Sequence, residues 1–443
     1  MKRLYEPMAY GTGPIAESFW PTTVPDIPAH PAVSGDVRAE VAVIGAGFTG
    51  LNAALALAEA GRDVVVLEAE QPGWGASGRN GGFCCLGGAK AGPDQILRQF
   101  GDAETRAYYR AERAAVDHVG ALLDRHGIEA DLHSDGETLL AFRPKDVKVL
   151  EGVAEDIRRW QQVDCEVLPQ AALAERGMAS PEFHGAVTTP IGFALNPMKY
   201  ALGLAKAAVG AGARLFGQSP VIAMSRENGD HLLTTDQGRV RARTLVIATN
   251  GYGSDDLPPA LAGRYLPVQS NVLVTRPLTD AEIAAQGWSS RQMCYDTRHL
   301  LHYFRLMPNR RMLFGLRGAM KTTPTAHDQT RAIARADFER IFPAWRHVET
   351  PYFWSGLLCL SRGLMPYAGP VPGVDNAFTA MAYHGNGVAM GSYAGHLLAA
   401  QITGAGPATP APLRAPLKRF ELGRWRRALL PLAYAFYGLQ DRG

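Results

Sequence analysis

Residues 41–70 read VAVIGAGFTGLNAALALAEAGRDVVVLEAE, and this stretch decides the fold. Val41, Ala42, Val43 and Ile44 make a short uncharged run of the kind that forms a strand buried on both faces of a parallel sheet. Glycines follow at 45, 47 and 50, then a stretch of helical character over 51–59 that Gly61 ends. Val64, Val65, Val66 and Leu67 repeat the strand pattern and close on Glu68. The spacing predicts a βαβ unit of about 30 residues. Residues 41–58 carry no charge and would be long enough to attract a membrane reading, but their three glycines suit a turn between strand and helix.

The turn itself, Gly45-Ala46-Gly47-Phe48-Thr49-Gly50, has the GxGxxG spacing. Gly45 allows the tight bend, Gly47 lets backbone approach a pyrophosphate, and Gly50 lets the helix pack close on the strand. The helix N-terminus offers free N–H groups and the positive end of its dipole to the phosphates. Glu68 stands at the end of the second strand, where a carboxylate accepts from ribose hydroxyls and repels a 2′-phosphate. These residues read as a site for an adenine dinucleotide, NAD or FAD and not NADP. Two features favour FAD. The glycine-rich segment QPGWGASGRNGGFCCLGGAK at 71–90 follows where an NAD dehydrogenase continues with a helix, and it offers Ser77, Arg79, Asn80 and many free amides to a long cofactor. In addition, TLVIATNG at 244–251 reads as the last parallel strand of the same sheet, delivered after a long insertion.

The chain has 443 residues, enough for two or three domains. With 47% hydrophobic and 20% charged residues it has the composition of a globular enzyme, and a net charge of +3 excludes a dedicated nucleic-acid binder. Five scattered cysteines form no disulfide framework, and the N-terminus lacks the apolar core of a signal peptide, so a reducing, cytoplasmic location is expected. His299 and His302 would face opposite sides of a strand, so no metal site is expected.

Outward from the motif, residues 1–38 read as irregular, 93–130 as helical and 131–190 as mixed. Asn196-Pro197 starts a helix with an N-cap followed by proline at the first helical position. Strands are predicted at 213–216, 221–224, 231–235 and 244–248, antiparallel strands over 266–318 with a hairpin at 302–314, and helices at 327–341 and 387–401. Residues 354–373 read as a Gly/Pro-rich segment. The uncharged stretch 428–439, behind Arg424, Arg426 and Arg427, is too short to span a bilayer. It is expected to pack on the body, with peripheral membrane contact as the alternative. The fold class is α/β (α+β): a Rossmann-like FAD-binding domain from 1–90, 190–260 and 350–410, and a substrate domain on an antiparallel sheet from 91–189 and 261–349. A C-terminal helical tail takes 411–443.

Several segments together resemble the D-amino-acid oxidase (DAO) superfamily of FAD-dependent oxidoreductases. They are VAVIGAGFTGLNAAL, VVVLEA, GWGASGRNGG, ATNGY, the HYFRL and RRMLFG hairpin, and YHGNGVAMGSYAGHLLA. GWGASGRNGG is most similar to the γ-glutamylputrescine oxidoreductase branch. The resemblance implies that Gly45, Gly47, Phe48, Thr49 and Gly50 meet the pyrophosphate, and Glu68 and Ala69 the adenosine ribose. It implies that Gly75, Ala76, Ser77, Arg79, Asn80, Gly81 and Gly82 line the ribityl chain and flavin, while Val221 touches adenine through its backbone. Asn250 and Gly251 would close over the cofactor, and Gly385, Asn386, Gly387 and Val388 would sit beside the flavin pyrimidine. Backbone amides at the start of the 387–401 helix can stabilise negative charge on the reduced ring.

The resemblance implies oxidation of the C–N bond of an amine or amino acid, γ-glutamylputrescine-like or another primary or secondary amine. Hydride would pass to flavin N5, the imine would hydrolyse, and O2 would reoxidise the flavin with release of H2O2. Candidate catalytic residues are Tyr303 and Arg305, two apart on one strand face, Arg317 after the partner strand, and His384. An arginine there could pair with a substrate carboxylate. The chain departs from relatives in two ways. Gly385-Asn386-Gly387 replaces the common Gly-His-Gly, and no lysine stands at 312–314, where sarcosine oxidases carry one near N5. The missing lysine admits a secondary-amine or imino-acid dehydrogenase that passes electrons to another acceptor. A flavoprotein subunit of a larger complex is a further alternative, as is a flavin-binding protein without turnover. Cys359 lies off the position of covalent attachment, so the FAD is expected to be non-covalent.

Overall fold

The computed structural model describes residues 1–441, so positions 442 and 443 of the expected tail lie outside the described residues. The uncharged run at 41–44 is the inner end of a longer strand, Gly35–Ile44, between the parallel strands Gly238–Ile247 and Val64–Leu67. Its outer half was not expected, because Asp36, Arg38 and Glu40 break the apolar run. Those charges sit at the solvent edge, where Asp36 faces Arg239 across the sheet and accepts from its Nε and Nη2, both at 2.8 Å. The sheet runs Tyr367–Pro370, Ala377–Met381, Gly238–Ile247, Gly35–Ile44, Val64–Leu67, Arg214–Phe216, and an antiparallel ribbon, Ala223–Glu227 with Asp230–Thr234, hangs on Gly238–Ile247.

One face of this sheet is covered by the helices Phe48–Glu59, Pro197–Gly210 and Ala389–Thr403. The Asn196 side chain caps the second of these, accepting from Met198 N at 3.1 Å and Lys199 N at 3.2 Å, as its Asn-Pro start predicts. Helix Pro93–His126, bent at Gly101, packs Tyr108, Val119 and Leu123 into the same core. It was expected in the substrate domain, and its apolar face instead joins it to the nucleotide layer.

A second sheet has eight strands in the order Tyr352–Ser361, Tyr265–Val274, Met312–Arg317, His302–Leu306, Met293–Asp296, Glu137–Leu140, Gly185–Thr189, Glu166–Pro169. All its pairs are antiparallel except Met293–Asp296 with Glu137–Leu140. The first strand falls partly in the Gly/Pro-rich segment 354–373, and it corrects the placing of 352–361 in the nucleotide domain, which was expected to take 350–410. Tyr352–Ser361 pairs with Tyr265–Val274 along its whole length, and Gly356 is held inside that ladder. The helix Asp280–Gln286, closed by a capping box between Thr279 and Glu282, was also not expected in this region.

One face of the second sheet packs Phe304 and Phe314 against Phe338, Phe342 and Trp345 on and after helix Pro324–Ile341. On the same face His302 is pinned between two acids, Nδ1 to Asp296 at 2.8 Å and Nε2 to Asp337 at 3.1 Å. The N-terminal region, expected to be irregular, makes three short turns, Pro7–Tyr10, Gly13–Ile15 and Trp20–Thr23, and buries Trp20. In the tail, the fully buried Arg426 grips Asp255 through two bonds of 2.8 and 2.7 Å. Leu430 packs on Leu266 and Val268, while Leu432, Phe436 and Leu439 on helix Leu430–Gln440 face outward. Among the described residues no helix is long and apolar enough to cross a membrane.

Candidate active site

The two sheets enclose a cavity of about 420 Å³ that runs from Glu68 and Val221 past the glycine turn to Tyr303 and Arg317. At its first end Gly45 has φ +103°, and a Cβ there would lie 2.9 Å from the Ala248 carbonyl oxygen. A Cβ on Gly50 would fall 1.9 Å from the Gly45 oxygen, so helix and turn meet backbone to backbone. Gly47 caps helix Phe48–Glu59 with no side chain of its own, and Ser77 Oγ accepts from Phe48 N at 2.9 Å. The helix end thus opens to the cavity with room for a phosphate against backbone. Glu68 accepts from Ala46 N at 2.7 Å and from Glu70 N at 3.1 Å. Burial raises its carboxyl above the usual range, and its remaining lone pairs are free for ribose hydroxyls.

The glycine-rich loop at 73–82 is held from outside. Three successive carbonyls are each taken by a side-chain donor: Arg79 O by Trp354 Nε1 at 2.8 Å, Asn80 O by Trp20 Nε1 at 2.9 Å, and Gly81 O by Arg305 Nε at 2.8 Å. With its carbonyls turned away, the loop lays Arg79, Asn80 and Gly81 along the cavity wall. The Arg79 guanidinium stacks 4.1 Å from the Trp74 ring and donates from Nε to Trp74 O at 2.7 Å. It is only 4% exposed, and its Nη2 has no partner among the described residues. A buried cationic donor without an acceptor is costly, so an electron-rich cofactor in this cavity fits.

The segment 383–388 closes the wall. Tyr383 hydroxyl meets Thr49 Oγ1 at 2.8 Å, and Asn386 Nδ2 donates to Leu86 O at 2.6 Å. The helix begins at Ala389, two residues later than expected, so 385–387 are a turn before its N-terminus. His384 is buried, and both ring nitrogens are used. Nδ1 donates to Gly88 O at 2.6 Å and Nε2 accepts from Ser361 N at 3.3 Å. Burial pushes this imidazole down to about 4. Its side chain therefore fixes the wall in place and is not a free acid or base.

Strand register sets what faces the cavity from the second sheet. Tyr303 lies opposite both Tyr295 and Gly315, Arg317 follows two positions after Gly315, and Glu137 lies opposite Met293, two before Tyr295. Glu137, Tyr295, Tyr303 and Arg317 therefore share one face, and all four line the cavity. The Tyr303 hydroxyl is 3.0 Å from Ser270 Oγ, and Arg317 Nη2 donates to His384 O at 3.1 Å. Arg305 does not face the cavity. It is 1% exposed and spends its donors on Gly81 O, on Leu195 O at 2.8 Å, and on His133 Nε2 at 2.7 Å. Its role as a candidate substrate ligand is corrected to that of a clamp on the loop.

Of the residues singled out in the sequence, Gly50, Gly82, Gly251 and Arg305 stay behind the cavity wall and the others line it. The three glycines are packing positions: a Cβ on Gly82 would fall 1.9 Å from Leu195 O, and one on Gly251 would fall 3.0 Å from Leu358 O. Sequence reading missed Lys90, Glu137 and Tyr295, which also line the cavity. A lone acid opening the apolar strand Glu137–Leu140 was the available signal for the second of these.

A family model described as FAD dependent oxidoreductase (DAO) matches residues 40–401. The γ-glutamylputrescine oxidoreductase of Escherichia coli is 30% identical over 408 residues, covering 92% of this chain and 93% of that protein. Among solved structures, glycine oxidase from Geobacillus kaustophilus superposes with a TM-score of 0.69 at 21% identity, over 86% of this chain and 99% of that one. L-Proline dehydrogenase from P. horikoshii gives a TM-score of 0.69 at 19% identity, over 85% and 96% of the two chains.

Proposed function

Because the chain belongs to the DAO family of FAD dependent oxidoreductases, we propose that it oxidises the C–N bond of an amine or amino acid that carries a carboxylate. The observation that carries this reading is Arg317. It reaches the cavity from the second sheet and spends one hydrogen bond on His384 O, leaving the rest of its fork for an acceptor. Bound FAD would supply the two-electron acceptor. Gly45, Gly47 and Glu68 would hold its adenosine half, and the 79–81 and 385–388 segments its other half.

The chain's own residues then have defined work. Arg317 pairs with the carboxylate, Tyr303 orients the substrate through a hydroxyl already fixed by Ser270, and the sheet face excludes water. His384 has no free nitrogen, so it is not the group that takes the proton of the amine. Burial pushes the Cys359 thiol up to about 12, which keeps it protonated and suits a non-covalently held cofactor. The strand Met312–Arg317 carries no lysine, which favours an imino-acid or secondary-amine dehydrogenase as the second reading.

The test mixes FAD-loaded protein anaerobically with a panel of amines and amino acids. Bleaching of the yellow absorbance is expected, and acid precipitation should release all the colour. The rate of return in air separates oxidase from dehydrogenase, and no bleaching with any member would overturn the reading. Arg317→Met should raise KM for carboxylate-bearing substrates about a hundredfold with kcat little changed, because it removes binding common to ground and transition states. An equal loss with simple monoamines would assign Arg317 to another task.

A further inference from the structure

The cavity wall holds two charged groups that the reading above does not use. Glu137 is 9% exposed, lines the cavity, and has no ion-pair partner within 4.0 Å among the described residues. Burial pushes its carboxyl up to about 7. Lys90 also lines the cavity and lies close enough to both Glu137 and Arg317 to feel their charges. It keeps an exposed side chain although protein surrounds it, because that surface faces the cavity. Burial pushes its ammonium down to about 8.

Register separates the two ends of this charged face. Glu137 and Arg317 stand on strands three ladder steps apart, Glu137–Leu140 and Met312–Arg317, with Met293–Asp296 and His302–Leu306 between them. Three steps are roughly 14 Å across the sheet, and the register sets Glu137 level with Leu313, four residues or roughly 14 Å along the strand from Arg317, so the two backbones lie on the order of 20 Å apart. After both side chains reach inward, the gap suits an elongated molecule and is too wide for the adjacent charges of glycine. Tyr295 and Tyr303 line the floor between the two ends.

We infer that Glu137 is a specificity-determining residue that seats a second, cationic nitrogen of the substrate while Arg317 holds its carboxylate. The substrate class is therefore an elongated molecule with one carboxylate and two amine nitrogens, one oxidised and the other kept as an ammonium. This rests on the carboxylate-bearing amine reading above. The physical reason is desolvation: a buried acid with no ion-pair contact is costly, and an ammonium brought by the substrate offsets that cost where a neutral group cannot. Selectivity against analogues lacking the ammonium follows, because they leave the acid unpaired.

The test uses FAD-loaded protein with 6-aminohexanoate and hexanoate, which both offer a carboxylate and lack an α-amine. Binding is read from the perturbation of the flavin absorbance and from the shift in Tm, under anaerobic conditions. The wild type should bind 6-aminohexanoate at least tenfold more tightly than hexanoate. Glu137→Gln keeps the shape and should erase the preference while leaving hexanoate within about twofold, and Arg317→Met should weaken both. Lys90→Met separates Glu137's two potential partners: with the lysine gone, the preference for 6-aminohexanoate should persist or grow. Equal binding of the two compounds, no binding of 6-aminohexanoate, or a preference that survives Glu137→Gln would each overturn the inference. Bleaching by amines without any such preference would sink this inference alone, whereas absence of bleaching by every amine sinks the reading beneath it.

Discussion

Replacing Arg305 by methionine should cost about 3–5 kcal/mol of stability and release most of the bound FAD, since it strands two buried carbonyls that each cost about 1–3 kcal/mol when unpaired. The guanidinium is 1% exposed and bonds Gly81 O and Leu195 O at 2.8 Å each. Its third contact, His133 Nε2 at 2.7 Å, works because that imidazole is neutral. Burial and the neighbouring Arg305 push His133 down to about 3, and its Nδ1 donates to Asp131 O at 2.8 Å. Methionine fills the apolar stem's volume, so the loss reports hydrogen bonds and not a cavity. Arg305→Lys should recover only part of it, because a point charge cannot match three acceptors laid out for a planar fork. Urea unfolding gives the stability, and flavin fluorescence gives the released cofactor. A change under 1 kcal/mol with FAD fully retained would show that the loop does not depend on this clamp.

The second large effect is on stability against pH. His302 lies between Asp296 and Asp337, with Arg298 and Arg340 completing the network. Burial alone would lower its pKa, but the two acids outweigh it and hold the imidazolium up to about 9. A folded pKa above the unfolded value of about 6.5 means stabilisation that is complete below pH 6.5 and lost as pH rises through 9. The 2.5-unit difference corresponds to about 3 kcal/mol, to order of magnitude. On the acid side, His302 and Arg340 hold Asp337 down to about 2 against the opposing effect of burial. That contribution is present above the ordinary aspartate range and fades as pH falls toward 2. His302→Gln should therefore be destabilised by about 3 kcal/mol at pH 6, with the difference from wild type shrinking as pH rises to 9. Urea titrations of both proteins at matched pH isolate this site, because other groups that titrate in the window cancel. Parallel stability curves for the two proteins would rule the network out as the cause.

The βαβ unit was legible in residues 41–70 because its causes are local. An uncharged run that fits only a doubly covered strand, a glycine whose φ of +103° other residues avoid, and an acid at the second strand's end are all visible within one short stretch. Asn196-Pro197 was legible for the same reason, since a cap acts on the next three amides. Tyr352–Ser361 was not, because its partner strand Tyr265–Val274 lies some 80 positions earlier and Gly356 sits in the middle. The direction of Arg305 was half legible. Its place on the strand gave the correct face, but that it ends on Gly81 O and Leu195 O depends on segments distant in the chain.

What the sequence determined by itself was the βαβ unit with its glycine turn and the acid at the end of its second strand, since turn geometry and strand burial are properties of neighbours along the chain. What only the tertiary structure decided was the charge pattern opposite it. Lys90 from the glycine-rich loop, Glu137 from one strand and Arg317 from another meet only because β-ladder register carries side-chain direction across four strands, and Trp20 and Trp354 find the loop carbonyls from opposite ends of the chain. Hydrogen bonds and unpaired charges between segments so far apart follow from packing, which no local pattern of residues encodes.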